Sequence, residues 1–338
     1  IAVPISYPCN ELPGAGATLD IAPGIRWVRM PLPFSLDHVN LWLIEDGDGW
    51  TAVDTGISLD MLKDNWRKLL TQHRLTRQIV THCHPDHLGL AAWLEQESGA
   101  PLWITQGEFA FGHLLRAGTD AFGISAMLQL YRRHGLDDSR LAALEARGNG
   151  FLRGVPEMPQ TYRRIMDGDQ IVIGGKNWRV IVGYGHAPEH ASLYCDELHV
   201  LISGDMLLPR ISTNVSVLAP NPDGNPLALF LASIEKLQSL PEDTLVLPSH
   251  GKPFRGLHAR VAQLQIHHRE RCNALRDACV SAKSAGDLLL VLFGREITDA
   301  HQIMFAMGET IAHLNYLEHA NVLRCIDDNG QLRFIQTH

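Results

Sequence analysis

The stretch Thr81-His82-Cys83-His84-Pro85-Asp86-His87 carries the most specific structural signal in this chain. In an extended segment alternate side chains lie on the same face, so His82 and His84 can converge on one ion. Asp86 and His87 follow at the bend into the next helix. At the His and Asp frequencies of this chain, H-x-H-x-D-H would arise by chance in roughly three of a thousand shuffled sequences. The spacing therefore indicates a metal site rather than a solvated polar turn.

Three further side chains that commonly bind metals each come directly after a predicted strand. His186, Asp205 and His250 follow strands that end at residues 184, 203 and 248. We expect these strand ends to meet at one edge of a sheet sandwich, which is a rigid place for a metal site. Histidine is also frequent overall, at 18 of 338 residues, and it is the commonest metal-binding side chain.

The composition is that of a folded globular protein without a membrane segment. Hydrophobic residues make up 45% of the 338 residues, charged residues 20%, and the net charge is −8. The longest apolar runs are far shorter than the ~18–20 residues that a bilayer span requires. The first eight residues do not resemble a secretory signal, although a removed leader stays open because the chain begins without Met. Six cysteines without C-x-x-C spacing favour a reducing compartment, and we expect a cytoplasmic protein.

The periodicity of apolar residues predicts an α/β (α+β) fold of two packed sheets with helices outside. A helical insertion is predicted at about residues 106–162. Strands and helices of the main body are predicted at residues 25–32, 38–45, 50–54, 59–73 (helix), 78–81, 87–98 (helix), 101–105, 170–174, 178–184, 191–195, 199–203, 226–240 (helix) and 244–248.

These residues resemble the metallo-β-lactamase superfamily of hydrolases over roughly residues 24–254. The resemblance implies the αββα sandwich of that superfamily, which agrees with the predicted strands and helices. It also implies two divalent metal ions, for which zinc is favoured and iron or manganese are compatible. The implied ligands are His82, His84 and His186 for the first metal, Asp86, His87 and His250 for the second, and Asp205 as the carboxylate that bridges both.

Two further residues are expected behind the ligands. Asp54 lies in the turn Val53-Asp54-Thr55-Gly56, which matches the Asp-x-Gly turn of the superfamily, and we expect it to fix the tautomer of a ligand. His190 ends the segment that reads Gly-His-Ala-Pro-Glu-His here, where the superfamily usually has Gly-His-Thr-x-Gly-His. We expect His190 to be a supporting or structural residue. The Glu at 189 adds a charge near the site.

The predicted chemistry is hydrolysis by a hydroxide that bridges two metal ions. Two ions ~3.5–4 Å apart lower the pKa of a shared water toward ~7. Asp86 is the predicted catalytic residue, which orients the hydroxide and takes its proton. Cys83 is expected on the opposite face of the segment, where it packs. Asp205 argues against a true β-lactam hydrolase, since the antibiotic-degrading members generally lack it. A thioester, lactone or similar carbonyl ester of a small molecule is therefore the expected substrate.

Three other functions stay open at this point. The first is a phosphodiesterase or ribonuclease with the same metals, the second a mononuclear iron oxygenase that acts on a thiol or persulfide, and the third a binding protein with an idle site. The sequence contains no phosphate loop, G-x-S-x-G elbow or strand-linked dinucleotide motif. Substrate-binding residues are not identified. Phe122 and residues 131–134 in the insertion can form either a lid or packing contacts.

Two domains are predicted, a catalytic domain at residues 1–257 and a small C-terminal domain at residues 258–338. The latter begins with a long linking helix to about residue 284. It continues with a helix at 303–317 and a β-hairpin, which resembles the winged-helix unit of one branch of the superfamily. Between residues 281 and 338 there are four basic and seven acidic residues. A nucleic-acid partner is therefore not expected. The expected partner is a small-molecule substrate, and a homodimer stays open.

Overall fold

The computed structural model describes residues 3–337. Its strands are β1 (Leu19–Ala22), β2 (Ile25–Pro31), β3 (His38–Asp46), β4 (Gly49–Val53), β5 (Leu75–Ile79), β6 (Leu102–Ile104), β7 (Arg163–Arg164), β8 (Gln170–Ile173), β9 (Lys176–Gly183), β10 (His190–Cys195), β11 (Val200–Gly204), β12 (Leu245–Pro248), β13 (Leu323–Asp328) and β14 (Gln331–Gln336). Its α-helices are α1 (Asp60–Leu70), α2 (Pro85–Leu88), α3 (Ala91–Ser98), α4 (Gln106–Ala117), α5 (Ile124–Arg133), α6 (Asp138–Arg147), α7 (Gly150–Gly154), α8 (Pro226–Lys236), α9 (Leu257–Ala278), α10 (Ala285–Phe293) and α11 (Ala300–His319). Short 3₁₀ helices cover Asp120–Phe122 and Leu237–Ser239.

The chain forms two compact units, each built from three stretches of sequence. Within the described residues, the first unit comprises 3–116, 151–213 and 233–261, and the second comprises 117–150, 214–232 and 262–337. The proposed domain boundary at residue 257 follows chain order. It does not coincide with the division into units, because much of the helical insertion groups with the C-terminal stretch.

Two mixed sheets form the centre of the first unit. The first sheet runs in chain order from β1 to β7, with antiparallel pairing from β1 to β4 and parallel pairing from β4 to β7. The second sheet has the order β12-β11-β10-β9-β8, in which only β11 and β12 are parallel. Strands β9, β11 and β12 therefore run in the same direction, and the segments that follow them emerge at the same edge.

A core of large apolar side chains joins the inner faces of the two sheets. Trp27 and Trp42 of the first sheet stack at a ring-centroid distance of 6.1 Å. They belong to one buried cluster with Trp178 and Leu193 of the second sheet. Alternation along each strand supplies these inward positions, as expected for packed sheets. The predicted fold class is confirmed.

Helices α1 and α3 cover the outer face of the first sheet. Leu62 and Trp66 of α1 pack with Met30, Leu41 and other side chains of that face in a second buried cluster. The apolar positions of α1 recur at three- and four-residue spacing, which gives the helix one buried face. The Trp66 indole N–H also donates a hydrogen bond to the Thr55 carbonyl, at 2.8 Å. That bond ties α1 to the turn that contains Asp54.

The predicted element ends around the histidine-rich bend were wrong by several residues. The strand predicted at 78–81 lies at Leu75–Ile79, because the chain leaves the sheet before the bend. The single helix predicted at 87–98 is two helices, α2 and α3, separated at Gly89. A Cβ at Gly89 would lie 2.4 Å from the Pro85 carbonyl oxygen and 2.5 Å from that of Gly154. Only glycine fits this close approach of backbone segments.

The second unit is mainly helical and contains a β-hairpin. Strands β13 and β14 pair antiparallel in full register, as the sequence predicted. The long helix predicted to residue 284 ends at Ala278, and α10 begins a few residues later. Ser284 caps α10 in a capping box with Asp287, a signal that the sequence analysis missed. The short strand β1 was also missed. No helix within residues 3–337 is long and apolar enough to span a bilayer.

Candidate metal centre

The histidine-rich bend lies directly after β5, and its alternation places polar and apolar side chains on opposite sides. His82 is fully buried and its Nε2 lies 3.0 Å from Nδ1 of His84. Cys83 points away and packs with Val80 and Leu88 in an apolar cluster. Burial raises the pKa of the Cys83 thiol well above its ordinary value, so the thiolate form is disfavoured. The prediction that Cys83 packs agrees with these contacts.

Four of the predicted ligands form a first cluster. The ligand atoms of His82, His84, His186 and Asp205 all lie within 4.8 Å of one another. His186 Nε2 lies 3.2 Å from His82 Nε2 and 3.2 Å from Asp205 Oδ2. His186 follows β9 and Asp205 follows β11, which run in the same direction. The fold thus brings together side chains that are more than a hundred residues apart.

The other three predicted ligands form a second cluster beside the first. Asp86, His87 and His250 also offer ligand atoms within 4.8 Å of one another. Asp205 Oδ1 lies 3.4 Å from His87 Nε2 and 3.4 Å from His250 Nε2. Since its Oδ2 faces His82 and His186, the Asp205 carboxylate presents one oxygen to each cluster. All seven predicted ligands are therefore in one place.

The spacing of these atoms fits bound cations. Asp205 lies 3.2–3.6 Å from the four imidazole nitrogens that face it. Ligands at 2.0–2.1 Å from a tetrahedral ion are separated by roughly 3.3–3.4 Å, which lies within this range. In addition, His87 Nε2 and Asp205 Oδ1 are buried without a hydrogen-bond partner. Buried polar atoms without partners are rare, and a cation between them would satisfy both.

Hydrogen bonds behind the ligands fix which ring nitrogen carries the proton. Asp54 Oδ2 accepts from His87 Nδ1 at 2.7 Å and from the Thr81 hydroxyl at 2.9 Å. Because that hydroxyl donates to Asp54, its oxygen accepts from His82 Nδ1, 3.0 Å away. His250 Nδ1 donates to the His38 carbonyl at 2.8 Å. In all three rings Nε2 is therefore left with its lone pair toward the cluster.

The two predicted supporting residues lie beside the clusters. Asp54 has a φ of 66°. Its carboxylate faces His87 and also accepts a hydrogen bond from the backbone N–H of Thr81, at 2.7 Å. His190 is buried, and its Nε2 accepts from the backbone N–H of Asp205 at 3.0 Å. His190 thus orients the Asp205 segment and is outside both groups of candidate ligands.

Burial keeps two histidines of the first cluster neutral. Burial, together with an electrostatic contribution from the neighbouring His186 ring, lowers the pKa of His84 to about 3. Burial and the charge of His87 lower the pKa of His82 well below its ordinary value. Neutral imidazoles are the form that binds metals, so these two rings are ready to bind a cation at neutral pH.

Ionised carboxylates lie in the second cluster, at Asp86, and between the two clusters, at Asp205. Burial opposes ionisation of Asp205, but the charges of His87 and His250 hold the pKa of this carboxyl well below its ordinary value. Burial likewise disfavours a charged His87, yet the carboxylates of Asp86 and Asp205 raise the pKa of that ring. The carboxylates thus favour positive charge at this point, which either a proton or a metal ion can supply.

Sequence reasoning missed several residues that hold the ligand segments. Asn40 is buried in β3, and its side-chain amide donates to the carbonyls of Pro248 and Gly251, at 2.8 and 2.7 Å. These bonds hold the turn that carries His250. A polar residue within the apolar run from Val39 to Ile44 was the available signal. Glu108 was also missed, because no residue pattern around it indicates its role.

The substrate-binding candidates of the insertion lie in the second unit. Tyr131 and His134 are almost completely buried there. The Tyr131 hydroxyl donates to the Met304 carbonyl at 3.0 Å. Arg133 forms an exposed ion pair with Asp327 at 3.3 Å. For Tyr131 and His134 these contacts favour packing over substrate binding.

Comparison with known proteins places this site in a family. A family model described as "Metallo-beta-lactamase superfamily" matches residues 35–250. A second, described as "Metallo-beta-lactamase-like, C-terminal domain", matches residues 272–337. The chain belongs to the metallo-β-lactamase superfamily. The predicted family and the predicted class of enzyme, a hydrolase of this superfamily, are confirmed. The winged-helix character of the C-terminal unit stays a prediction.

Individual proteins show the extent of the similarity. The crystal structure of a beta-lactamase domain protein from Burkholderia ambifaria is 45% identical, covers 98% of both chains and superposes with a TM-score of 0.91. A Bacillus subtilis protein described as "Probable metallo-hydrolase YqjP" is 24% identical over 86% of this chain and 91% of its own length. A hydroxyacylglutathione hydrolase from Marinomonas sp. is 26% identical over 65% of this chain and 63% of its own length.

Proposed function

We propose that this protein is a dinuclear metal-dependent hydrolase that cleaves a thioester, a lactone or a similar carbonyl ester of a small molecule. The observation that carries the proposal is the Asp205 carboxylate, which faces one candidate ligand cluster with each oxygen. Two divalent ions held there, most simply zinc, would polarise the scissile carbonyl and lower the pKa of a water between them toward neutrality.

Asp86 is the proposed general base. Its Oδ2 lies 3.4 Å from His87 Nε2 and 3.3 Å from His250 Nε2. Its side chain is 20% exposed, compared with 10% for Asp205 and 5% for His186. Burial alone would raise the pKa of Asp86. The charges of His87 and His250 outweigh this effect and hold the pKa of Asp86 far below its ordinary value. An ionised carboxylate at the accessible side of the cluster can orient an attacking water and accept its proton.

The environment of the bend favours water over a side-chain nucleophile. Cys83 is the nucleophilic side chain within the bend, and it is buried on the opposite face with a raised pKa. The hydroxyl of Thr81 is engaged with Asp54. The similarity to a hydroxyacylglutathione hydrolase supports carbonyl chemistry, because an acylglutathione is a thioester. We therefore place thioesters first among the candidate substrates.

The proposed setting is the cytoplasm, with a small molecule as the substrate. All six cysteines are free thiols in the structure, as expected in a reducing compartment. The acidic balance of the C-terminal stretch, with four basic and seven acidic residues after residue 280, does not favour a nucleic-acid partner.

Metal analysis combined with turnover tests the proposal. We expect two divalent ions per chain and hydrolysis of at least one member of a panel of acyl-thioesters and homoserine lactones. The same panel contains a phosphodiester, single-stranded RNA and a cephalosporin. One iron per chain with oxygen consumption, or salt-dependent RNA cleavage without ester hydrolysis, would contradict it.

A further inference from the structure

One buried carboxylate contacts the two segments that carry the three histidines of the first cluster. Glu108 lies in the first turn of α4 and is fully buried. Its Oε2 accepts a hydrogen bond from the backbone N–H of Cys83, at 2.9 Å. Its Oε1 accepts from the backbone N–H of Glu189, at 2.6 Å. Cys83 lies between His82 and His84, so Glu108 holds the bend at its centre.

The second contact of Glu108 holds the segment that carries His186. Glu189 lies three residues after His186 and directly before His190, which accepts from the Asp205 N–H. One side chain therefore spans two segments that are about a hundred residues apart in sequence. Each oxygen of the Glu108 carboxylate accepts a hydrogen bond from a backbone N–H group. Such bonds fix backbone position more closely than contacts between flexible side chains, because the donor has no rotamer freedom.

A return contact from Glu189 fixes α4 in turn. Glu189 Oε2 accepts from the backbone N–H of Gly107, at 2.9 Å, and the Glu189 carbonyl accepts from the Thr105 hydroxyl, also at 2.9 Å. A Cβ at Gly107 would lie 2.9 Å from the carboxyl carbon of Glu189. Both carboxylates lie at the N-terminal end of α4, where the helix dipole favours negative charge. The Glu at 189 thus has a structural role in this chain.

We propose that Glu108 is a positioning residue that sets the separation of the two ligand segments, and thereby the affinity of the first cluster for its metal ion. The proposal rests on the proposed function, since it concerns the same metal centre. Glu108 belongs to neither group of candidate ligands. It acts through the backbone of residues 83 and 189, which determines where His84 and His186 lie.

Two substitutions of Glu108 distinguish the effect of its hydrogen-bond geometry from the effect of its charge. Glu108→Gln keeps the size of the side chain but replaces one acceptor oxygen with an N–H₂ group that opposes a backbone donor. Glu108→Asp keeps the charge but is too short to reach both N–H groups. Glu189→Gln removes a nearby charge and keeps the one acceptor oxygen that the return contact uses. Glu97→Gln, on the exposed face of α3, is the remote control.

The measurement is the zinc affinity of full-length, metal-stripped protein by competition with a chromophoric chelator, together with the visible absorption of Co²⁺ bound to the same variants. We expect Glu108→Gln and Glu108→Asp each to lose about 10- to 100-fold in zinc affinity, with shifted Co²⁺ bands. Glu189→Gln should lose less than Glu108→Gln, and Glu97→Gln should match the wild type. Thermal melting of the metal-free variants reports their folding separately.

The outcomes distinguish this proposal from the proposed function. Wild-type protein that binds no metal would overturn both. Wild-type binding with equal zinc affinity and an unchanged Co²⁺ spectrum in both Glu108 variants would overturn the positioning role alone. Loss in Glu108→Gln but not in Glu108→Asp would overturn it in favour of a purely electrostatic effect. Metal-free Glu108 variants that do not fold would overturn it in favour of a role in folding.

Discussion

At the scale of single residues, the candidate ligands could be proposed from the sequence because their identity and spacing are local. His82, His84, Asp86 and His87 are six positions from end to end, and the other three each follow a strand. The residues that orient them were harder to find. Asn40 acts on a turn about 210 residues later, and Glu108 contacts two segments that only the fold brings together. No periodicity in one sequence encodes such contacts.

Two substitutions test the ligand assignment. We expect His84→Ala and Asp205→Asn both to lose metal and at least about 100-fold in kcat/KM, because each removes a proposed ligand. Asp205→Asn should affect both clusters, since its carboxylate faces both. Metal content and turnover of the purified variants provide the check. Glu235→Gln, an exposed carboxylate on α8, is the control. Full activity in either variant would refute the assignment.

Asp54→Asn tests the hydrogen bonds behind the second cluster. Asn tolerates the positive φ of 66° at this position, so the backbone should keep its conformation. The single oxygen of the amide cannot accept from His87 Nδ1 and both Thr81 donors at once, so at least one of these hydrogen bonds is lost and His87 is held less firmly. We expect metal affinity to fall about 10- to 100-fold with the fold retained. An unchanged affinity by chelator competition would show that Asp54 does not fix the ligand.

At the scale of elements, clear patterns of apolar residues predicted helices and strands correctly, but the predicted first and last residues of several elements were wrong. Helix α1 has one apolar face, and the apolar-rich strands β2 and β3 have clear turns at both ends. The break between α2 and α3 lies at Gly89, where the carbonyl of Gly154 from a distant segment leaves no room for a side chain. The sequence around Gly89 contains no sign of that neighbour. Element existence was therefore easier to predict than element boundaries.

The cap of α10 gives a prediction at this scale. The Ser284 hydroxyl accepts from the backbone N–H of Asp287 at 3.2 Å, and Asp287 Oδ2 accepts from the Ser284 N–H at 2.9 Å. Ser284→Ala should reduce the stability of the second unit by about 1 kcal/mol, because the first turn loses an acceptor. Urea unfolding followed by circular dichroism measures this loss. Ser281→Ala, at an exposed position, is the control, and equal midpoints for the two variants would contradict the role of the cap.

At the scale of the whole molecule, buried histidines make stability depend on pH. In the second unit, His313 Nδ1 donates to the Glu309 carbonyl, at 2.8 Å, so its Nε2 accepts from His268 Nδ1, at 3.1 Å. Burial, together with an electrostatic contribution from the neighbouring His313 ring, lowers the pKa of His268 to about 3. Burial lowers the pKa of His313 to about 4. Both rings are therefore neutral in the folded protein near neutral pH.

The sign of the effect follows from proton binding. Between about pH 6.5 and pH 4 the unfolded chain binds protons at these histidines and the folded chain does not, so stability falls as the pH falls. One such histidine should cost about 2 kcal/mol between pH 7 and pH 5. Equilibrium unfolding across this range should show a shallower decline in His268→Gln than in the wild type or in the exposed His319→Gln control. Parallel declines in all three proteins would contradict the assignment.

The sequence was sufficient to predict the overall architecture, but not to identify the substrate. Strands of common direction bring His186, Asp205 and His250 to one edge, which the order of strands and ligands already indicated. The substrate depends on the shape and polarity of the surface around that edge, and no motif in the sequence specifies these.

The most direct test of the account is a crystal structure of the metal-loaded protein with anomalous diffraction at the absorption edge of the bound metal. The account predicts two peaks about 3.5–4 Å apart. One should lie among His82, His84 and His186, the other among Asp86, His87 and His250, with Asp205 between them. A single peak, or a metal that does not contact Asp205, would contradict the dinuclear centre.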